Sequence, residues 1–208
     1  MTPTQQRGLP SEEEVRSLVE RVLDGVIDSD EPGGGARPTK SEVQQWASEP
    51  GDGIAIGADH GGFPLKERIG FKLREAGWDV TDCGTNSHES VDYPDFARAV
   101  AEKVASGECR WGVVIDGAGI GSAIVANKVP GVRAATCYDI SSARNSREHN
   151  HANVLSLGAG LIGEGLAWQI VEEWLATEWA GGRHASRVSK IEAIEKQYSR
   201  DPMKAQAE

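Results

Sequence analysis

The chain has 208 residues, 38% of them hydrophobic and 26% charged, enough apolar material for one sizeable α/β domain plus an appendage. With 32 acidic against 22 basic residues the formal net charge is -10, which disfavours nonspecific binding to nucleic acid or anionic membrane and confines any anion site to a local basic cluster. Three scattered cysteines without a CxxC pair, Cys83, Cys109 and Cys137, indicate neither a disulfide framework nor a structural zinc site and fit a reducing cytoplasm. No basic-then-apolar leader and no run of about 18 apolar residues supports secretion or membrane insertion.

The first predicted element is an amphipathic helix over about 11–27. Ser11 and Glu14 make a capping box, and Val15, Leu18, Val19, Val22, Leu23 and Val26 recur at helical spacing. The stretch DSDEPGGGARPTK clusters acid, proline and glycine and reads as a flexible linker over about 28–39. Residues 1–50 therefore form an N-terminal extension, 51–200 the main domain and 201–208 a C-terminal tail.

From Gly53 onward short apolar strands alternate with amphipathic helices. Strands are expected at 54–58, 78–83, 111–116, 133–138 and 154–157, with helices at 63–76, 94–106, 121–128, 141–148, 161–177 and 185–198. Such alternation predicts a parallel sheet of five strands covered on both faces.

Candidate chemistry concentrates in GVVIDGAGIGSAIVANK, residues 112–128. Val113, Val114 and Ile115 form a short β-branched run suited to a doubly buried parallel strand, and Asp116 falls at its carboxyl end. Gly117, Gly119 and Gly121 let backbone amides approach a ligand, and amides at a helix N-terminus favour oxyanions. Asp59 and His60 follow the first strand, so both should stand at the same sheet edge as Asp116. The alternative is a helix cap by Asp59 with His60 solvated. Tyr93, between a long loop and a helix, offers a hydroxyl to that cleft or serves packing alone.

His149 and Asn150 end a helix just before the fifth strand. His149 and His151 are two residues apart and do not share a helix face, so a metal site is not expected. A lone histidine there acts as a general acid or base near neutral pH, or caps the helix. In GGRHASRV, Arg183, His184 and Arg187 surround a helix start, with the arginines at i and i+4. Guanidinium forks there make a phosphate clamp or simply a solvated basic face.

Taken together, GADHGGFPLKERI, DYPDFA, DGAGIGSAIVANK, SREHNHANVL and GGRHASRV stand in an order and spacing that resembles the ribose-5-phosphate isomerase B family, which includes subunits of galactose-6-phosphate isomerase. The resemblance covers about 53–198. It implies a Rossmann-like three-layer α/β/α sandwich and aldose–ketose isomerisation of a phosphorylated sugar through a cis-enediolate. It also implies no metal or organic cofactor, and a dimer or dimer of dimers with active sites shared between subunits. By position His149 looks like the residue that assists ring opening, and Asp59, His60, Tyr93 and Asn150 look like substrate contacts. Arg183 and Arg187 look like phosphate ligands, with His184 in the same substrate-binding cluster. Backbone amides of Gly117, Ala118, Gly119 and Gly121 would hold the enediolate oxygens, stabilising charge that develops in the transition state.

Two positions depart from that family's pattern. Many members carry a cysteine at position 116 as the base that moves the proton between C1 and C2, and another branch uses a glutamate at the position of Ser122. Asp116 is then the expected base, and because an aspartate's free pKa is about 3.9, burial is expected to raise it towards the operating pH. Gly160, in LGAGLIG, stands where the family often has a phosphate-binding arginine, so a difference from ribose 5-phosphate in the substrate or its anchoring is expected, and four- to six-carbon sugar phosphates all stay open.

The N-terminal extension resembles the encapsulation peptides that carry enzymes into bacterial microcompartments, with an apolar helix face laid on a shell or cargo protein. Its alternative is a helix packed on its own domain or dimer. Two rivals to the isomerase reading are a non-catalytic sugar-phosphate-binding or partner subunit, and a dinucleotide-binding oxidoreductase domain. The latter is loosely imitated by GxGxG with Asp139 after the next strand, although its third glycine is misplaced.

Overall fold

The computed structural model describes residues 53–199; the helix expected over 11–27, the linker over 28–39 and the tail over 201–208 lie outside the described residues. The elements are β1 (Ile54–Ala58), α1 (Phe63–Glu75), β2 (Val80–Asp82), α2 (Tyr93–Ala105), β3 (Trp111–Asp116), α3 (Ile120–Ala126), β4 (Ala134–Thr136), α4 (Ile140–Glu148), β5 (Val154–Gly158), α5 (Glu164–Ala176) and α6 (Gly182–Tyr198). Five parallel strands pair in the order β2-β1-β3-β5-β4. This is the Rossmann-like α/β/α arrangement expected from the sequence.

Strand alternation divides the core into two layers. Ile54, Ile56, Val113, Ile115, Leu155 and Leu157 face one way and pack on Ile69 and Leu73 of α1, Ala143 of α4, and Ile170 and Trp174 of α5. Ala55, Val114 and Val154 face the other way, onto Ala97, Val100 and Val104 of α2 and Ala126 of α3. Asp116, two residues beyond Val114, continues that second face. Because α1 leaves β1 on one face and α3 leaves β3 on the other, the crevice opens between the carboxyl ends of these two neighbours, at the topological switch point.

The central strands β1, β3 and β5 are buried throughout, whereas β2 and β4 pair on one side only and are half-exposed. That one-sided pairing explains why the strands expected at 78–83 and 133–138 shrink to three residues each. Helix α2 starts one residue earlier than expected, at Tyr93, because Asp92 is the last extended residue and Pro94 needs no hydrogen bond in a first turn. Helix α6 starts three residues early, at Gly182, where Gly181 and Gly182 turn the chain with φ of 61° and 52°.

The carboxyl edge is braced from below by a buried cation. Lys66, 1% exposed on α1, meets the Asp82 carboxylate at 2.6 Å and Glu67 at 3.0 Å, while Asp82 also accepts from Gly84 N at 2.8 Å. No described helix is long and apolar enough to cross a membrane.

Candidate active site

The switch point gathers four of the candidate side chains. Asp59 N donates to Ile115 O at 3.3 Å and Asp59 Oδ1 accepts from Gly62 N at 2.9 Å, so the turn after β1 is tied to the end of β3 before α1 begins. His60 Nδ1 accepts from Val91 N at 3.2 Å and joins that turn to the segment leading into α2. Tyr93 lies across the glycine loop, so close that a Cβ added at Gly121 would stand 2.7 Å from its ring. Asp59, His60, Tyr93 and Asp116 therefore share one edge of the sheet.

Asp116 is 5% exposed and its carboxylate folds onto the loop that follows it. Oδ1 accepts from Ala118 N at 2.8 Å and from Gly119 N, and Oδ2 accepts from Ser122 N at 2.9 Å. Gly119 reaches this geometry with φ of 78°, left-handed backbone that glycine adopts freely. Burial pushes the carboxyl up, but the Ser122 side chain and the amides of Ser122, Gly119 and Ala118 outweigh it and hold its pKa below the ordinary value. The expectation that burial raises Asp116 towards neutrality is thus corrected: donors aimed at the ionised form win over desolvation.

The loop amides expected for the enediolate divide into two groups. Those of Ala118 and Gly119 already serve Asp116, whereas those of Gly117, Ile120 and Gly121 have no protein acceptor among the described residues. Loop carbonyls are pinned from the other side. Tyr138 OH donates to Ala118 O at 2.7 Å, Thr136 Oγ1 and Ser156 Oγ donate to Gly119 O at 3.1 and 2.5 Å, and Gly160 N donates to Gly117 O at 2.9 Å. Ser122, Thr136, Tyr138 and Ser156 are supports that reading the sequence missed. Their one signal was a polar residue inside or beside an apolar run, which does not say which carbonyl or carboxylate it meets.

A second cluster forms at the opposite edge of the sheet. His149 caps α4 through His149 N to Asn145 O at 2.9 Å; its Nδ1 lies 2.7 Å from Asn145 Nδ2 and its Nε2 lies 3.6 Å from the Glu148 carboxylate. The His149 ring stacks on that of His184 at 4.2 Å with 3° between the planes, and Arg183 Nε donates to His184 Nε2 at 3.3 Å. Burial, then His149, Arg183 and Arg187, lower the pKa of His184, and both arginines are exposed. Asn150, also exposed, follows His149 directly.

Register separates the two clusters. Asp116 pairs with Gly158 at one end of β3 and β5, Gly112 pairs with Val154 at the other, and His149 lies upstream of Val154. Four strand steps of about 3.3 Å put roughly 13 Å between those ends. Among the described residues no group of three or more His, Cys, Asp or Glu is placed to hold a metal ion.

Residues 54–191 match the model of the Ribose/Galactose Isomerase family, well over half of the chain. The chain belongs to that family. Ribose-5-phosphate isomerase B of Escherichia coli (strain K12) is 49% identical to it over 142 residues, 68% of this chain and 95% of that protein. D-erythrulose-4-phosphate isomerase of Pectobacterium atrosepticum is 43% identical over 145 residues, 69% of this chain and 95% of that protein. The solved ribose-5-phosphate isomerase B of Clostridium thermocellum is 57% identical with a TM-score of 0.70, covering 70% of this chain and 99% of that one. As a member of that family the chain is a sugar-phosphate aldose–ketose isomerase by class, and the match begins at residue 54.

Proposed function

We propose that the protein interconverts ribose 5-phosphate and ribulose 5-phosphate, or a related four- to six-carbon pair, with Asp116 as the proton-transfer base. In the aldose-to-ketose direction Asp116 takes the proton from C2, leaving a cis-enediolate with its charge on O1. The proton of O2 passes to O1, and Asp116 returns its own to C1 as the C2 carbonyl forms. Asp116 is a carboxylate throughout the neutral range, so it is always competent to accept. To do so it exchanges its contact with Ser122 for the substrate proton, while the free amides of Gly117, Ile120 and Gly121 face the developing oxyanion. Asp59, His60, Tyr93 and Asn150 contact the sugar.

His149 opens the ring, and Arg183 and Arg187, beside His184, hold the phosphate. With Gly160 contributing no guanidinium, these two arginines carry the anchoring in this reading. The observation that carries the proposal is the division of these residues into two incomplete clusters at opposite ends of a strand ladder about 13 Å long, which supports a homodimer, or a dimer of dimers, whose sites combine one cluster from each copy.

An isomerisation assay over four- to six-carbon aldose and ketose phosphates, paired with Asp116→Asn, tests this. Turnover on one substrate, lost in the variant, supports it; unchanged turnover in the variant removes Asp116 as the base. The many donors already satisfied by Asp116 favour one second reading, a non-catalytic sugar-phosphate-binding subunit, which predicts binding without turnover. Residues 11–27 are proposed to dock on a microcompartment shell or cargo protein. Deletion of residues 1–50 should then abolish encapsulation, and unchanged encapsulation would remove that idea.

A further inference from the structure

At the carboxyl edge two side chains compete for the description of acid and base. Asp116 accepts from loop amides and from Ser122, and His60 has one ring nitrogen committed and one unassigned. The committed nitrogen is decisive, because Val91 N is a backbone amide and can only donate. Its partner, His60 Nδ1 at 3.2 Å, must therefore carry a lone pair and no proton. A side-chain amide could be flipped to reverse such an assignment; a main-chain N–H cannot.

We propose that Val91 N fixes His60 as a neutral imidazole protonated on Nε2, so that His60 acts on the substrate as a hydrogen-bond donor and never as the proton-transfer base. Nε2 meets no acceptor among the described residues, and the ring is half-buried at the switch point beside the turn tied to Ile115. A donor N–H in that position suits an anionic or carbonyl oxygen of a sugar phosphate. It leaves ionised Asp116 as the acceptor on the same edge and divides the labour between them. Val91 is a positioning residue in this scheme, since its amide acts through the ring. The same bond ties the segment 84–92, which leads into Tyr93, to the turn carrying Asp59.

The inference rests on the isomerase reading for what His60 contacts, but its central claim is read without turnover. Long-range proton–nitrogen correlation spectra of the full chain with isotope-labelled histidine, the His60 signals assigned by their loss in His60→Gln, report the ring state directly. At neutral pH a neutral ring with a protonated Nε2 and a bare Nδ1 is expected; a protonated Nδ1, alone or with Nε2, overturns the proposal. In the assay, Gln retains a donor near the Nε2 position. His60→Ala should lose about 10- to 100-fold in kcat/KM and His60→Gln should recover most of it. Equal losses in both variants would overturn the donor role. Absence of turnover in the unsubstituted protein would remove the isomerase reading and leave the ring state standing.

Discussion

Asp116 and His149 stand at opposite ends of one sheet. Asp116 closes β3 opposite Gly158, and His149 caps α4 upstream of Val154, which pairs with Gly112. Neither side chain can serve the other's cluster within a single copy. Inactive Asp116→Asn and inactive His149→Ala proteins, unfolded and refolded together in equal amounts, should therefore regain activity. In a dimer with shared sites about a quarter of the sites recover both wild-type halves. Mixtures that stay as inactive as either parent would exclude sharing.

Hydrogen bonds to Asp116 make a prediction about acid stability. Its folded pKa lies below the ordinary value of 3.8, so its contribution is complete above that pH and is lost as pH falls through the folded value. Asp116→Asn turns an amide NH2 towards backbone donors and should cost about 2 kcal/mol at neutral pH. Urea unfolding of both proteins should give a gap that narrows below pH 3.8. A gap independent of pH would mean that the ionised carboxylate is not what the loop holds.

Gly121 owes its lack of a side chain to Tyr93. A Cβ there would stand 2.7 Å from Cζ and 3.0 Å from the hydroxyl, so Gly121→Ala must move the ring. Tyr93 is 38% exposed and can swing outward, which spares the core. KM should rise roughly fivefold, the loss of about one hydrogen bond, with the thermal midpoint little changed. A large fall in stability with unchanged KM would make Tyr93 a packing residue.

Lys66 is the buried cation whose loss should be felt furthest away. Lys66→Ala removes both a buried stem and the partner of the solvated Asp82 carboxylate that also holds Gly84 N, and should destabilise the fold by about 2 kcal/mol in denaturant titrations. Lys66→Met keeps the apolar stem beside the Phe63 ring and should cost less. Equal losses would mean that charge, not volume, is what that site requires.

The elements legible from the chain were those with a local cause. β1 and β3 match their expected bounds because apolar runs buried on both faces announce themselves, whereas β2 and β4 were overextended because a half-exposed edge strand has no such contrast. The start of α6 was missed because a glycine pair reads as a break when it is in fact the turn that launches the helix. Position along the chain put Asp59, His60 and Asp116 after strands, and the sheet order brings them together. It gave no sign that Ser122, Thr136, Tyr138 and Ser156 converge on the loop, since they come from two strands or their flanks and from α3.

The protonation balance of Asp116 marks the same boundary. Its place at a buried strand end follows from the hydrophobic pattern, and from that alone desolvation predicts a raised pKa. Whether donors reverse the sign depends on angles and distances of a few tenths of an ångström set by the loop and α3. The sequence by itself determined the alternating α/β layout, the family motifs and the residue types at the site, because periodicity and spacing are local properties. Only the tertiary structure decided which amides point at which oxygen and that the motifs split between two edges, because those follow from strand order and register, contacts made between residues far apart in the chain.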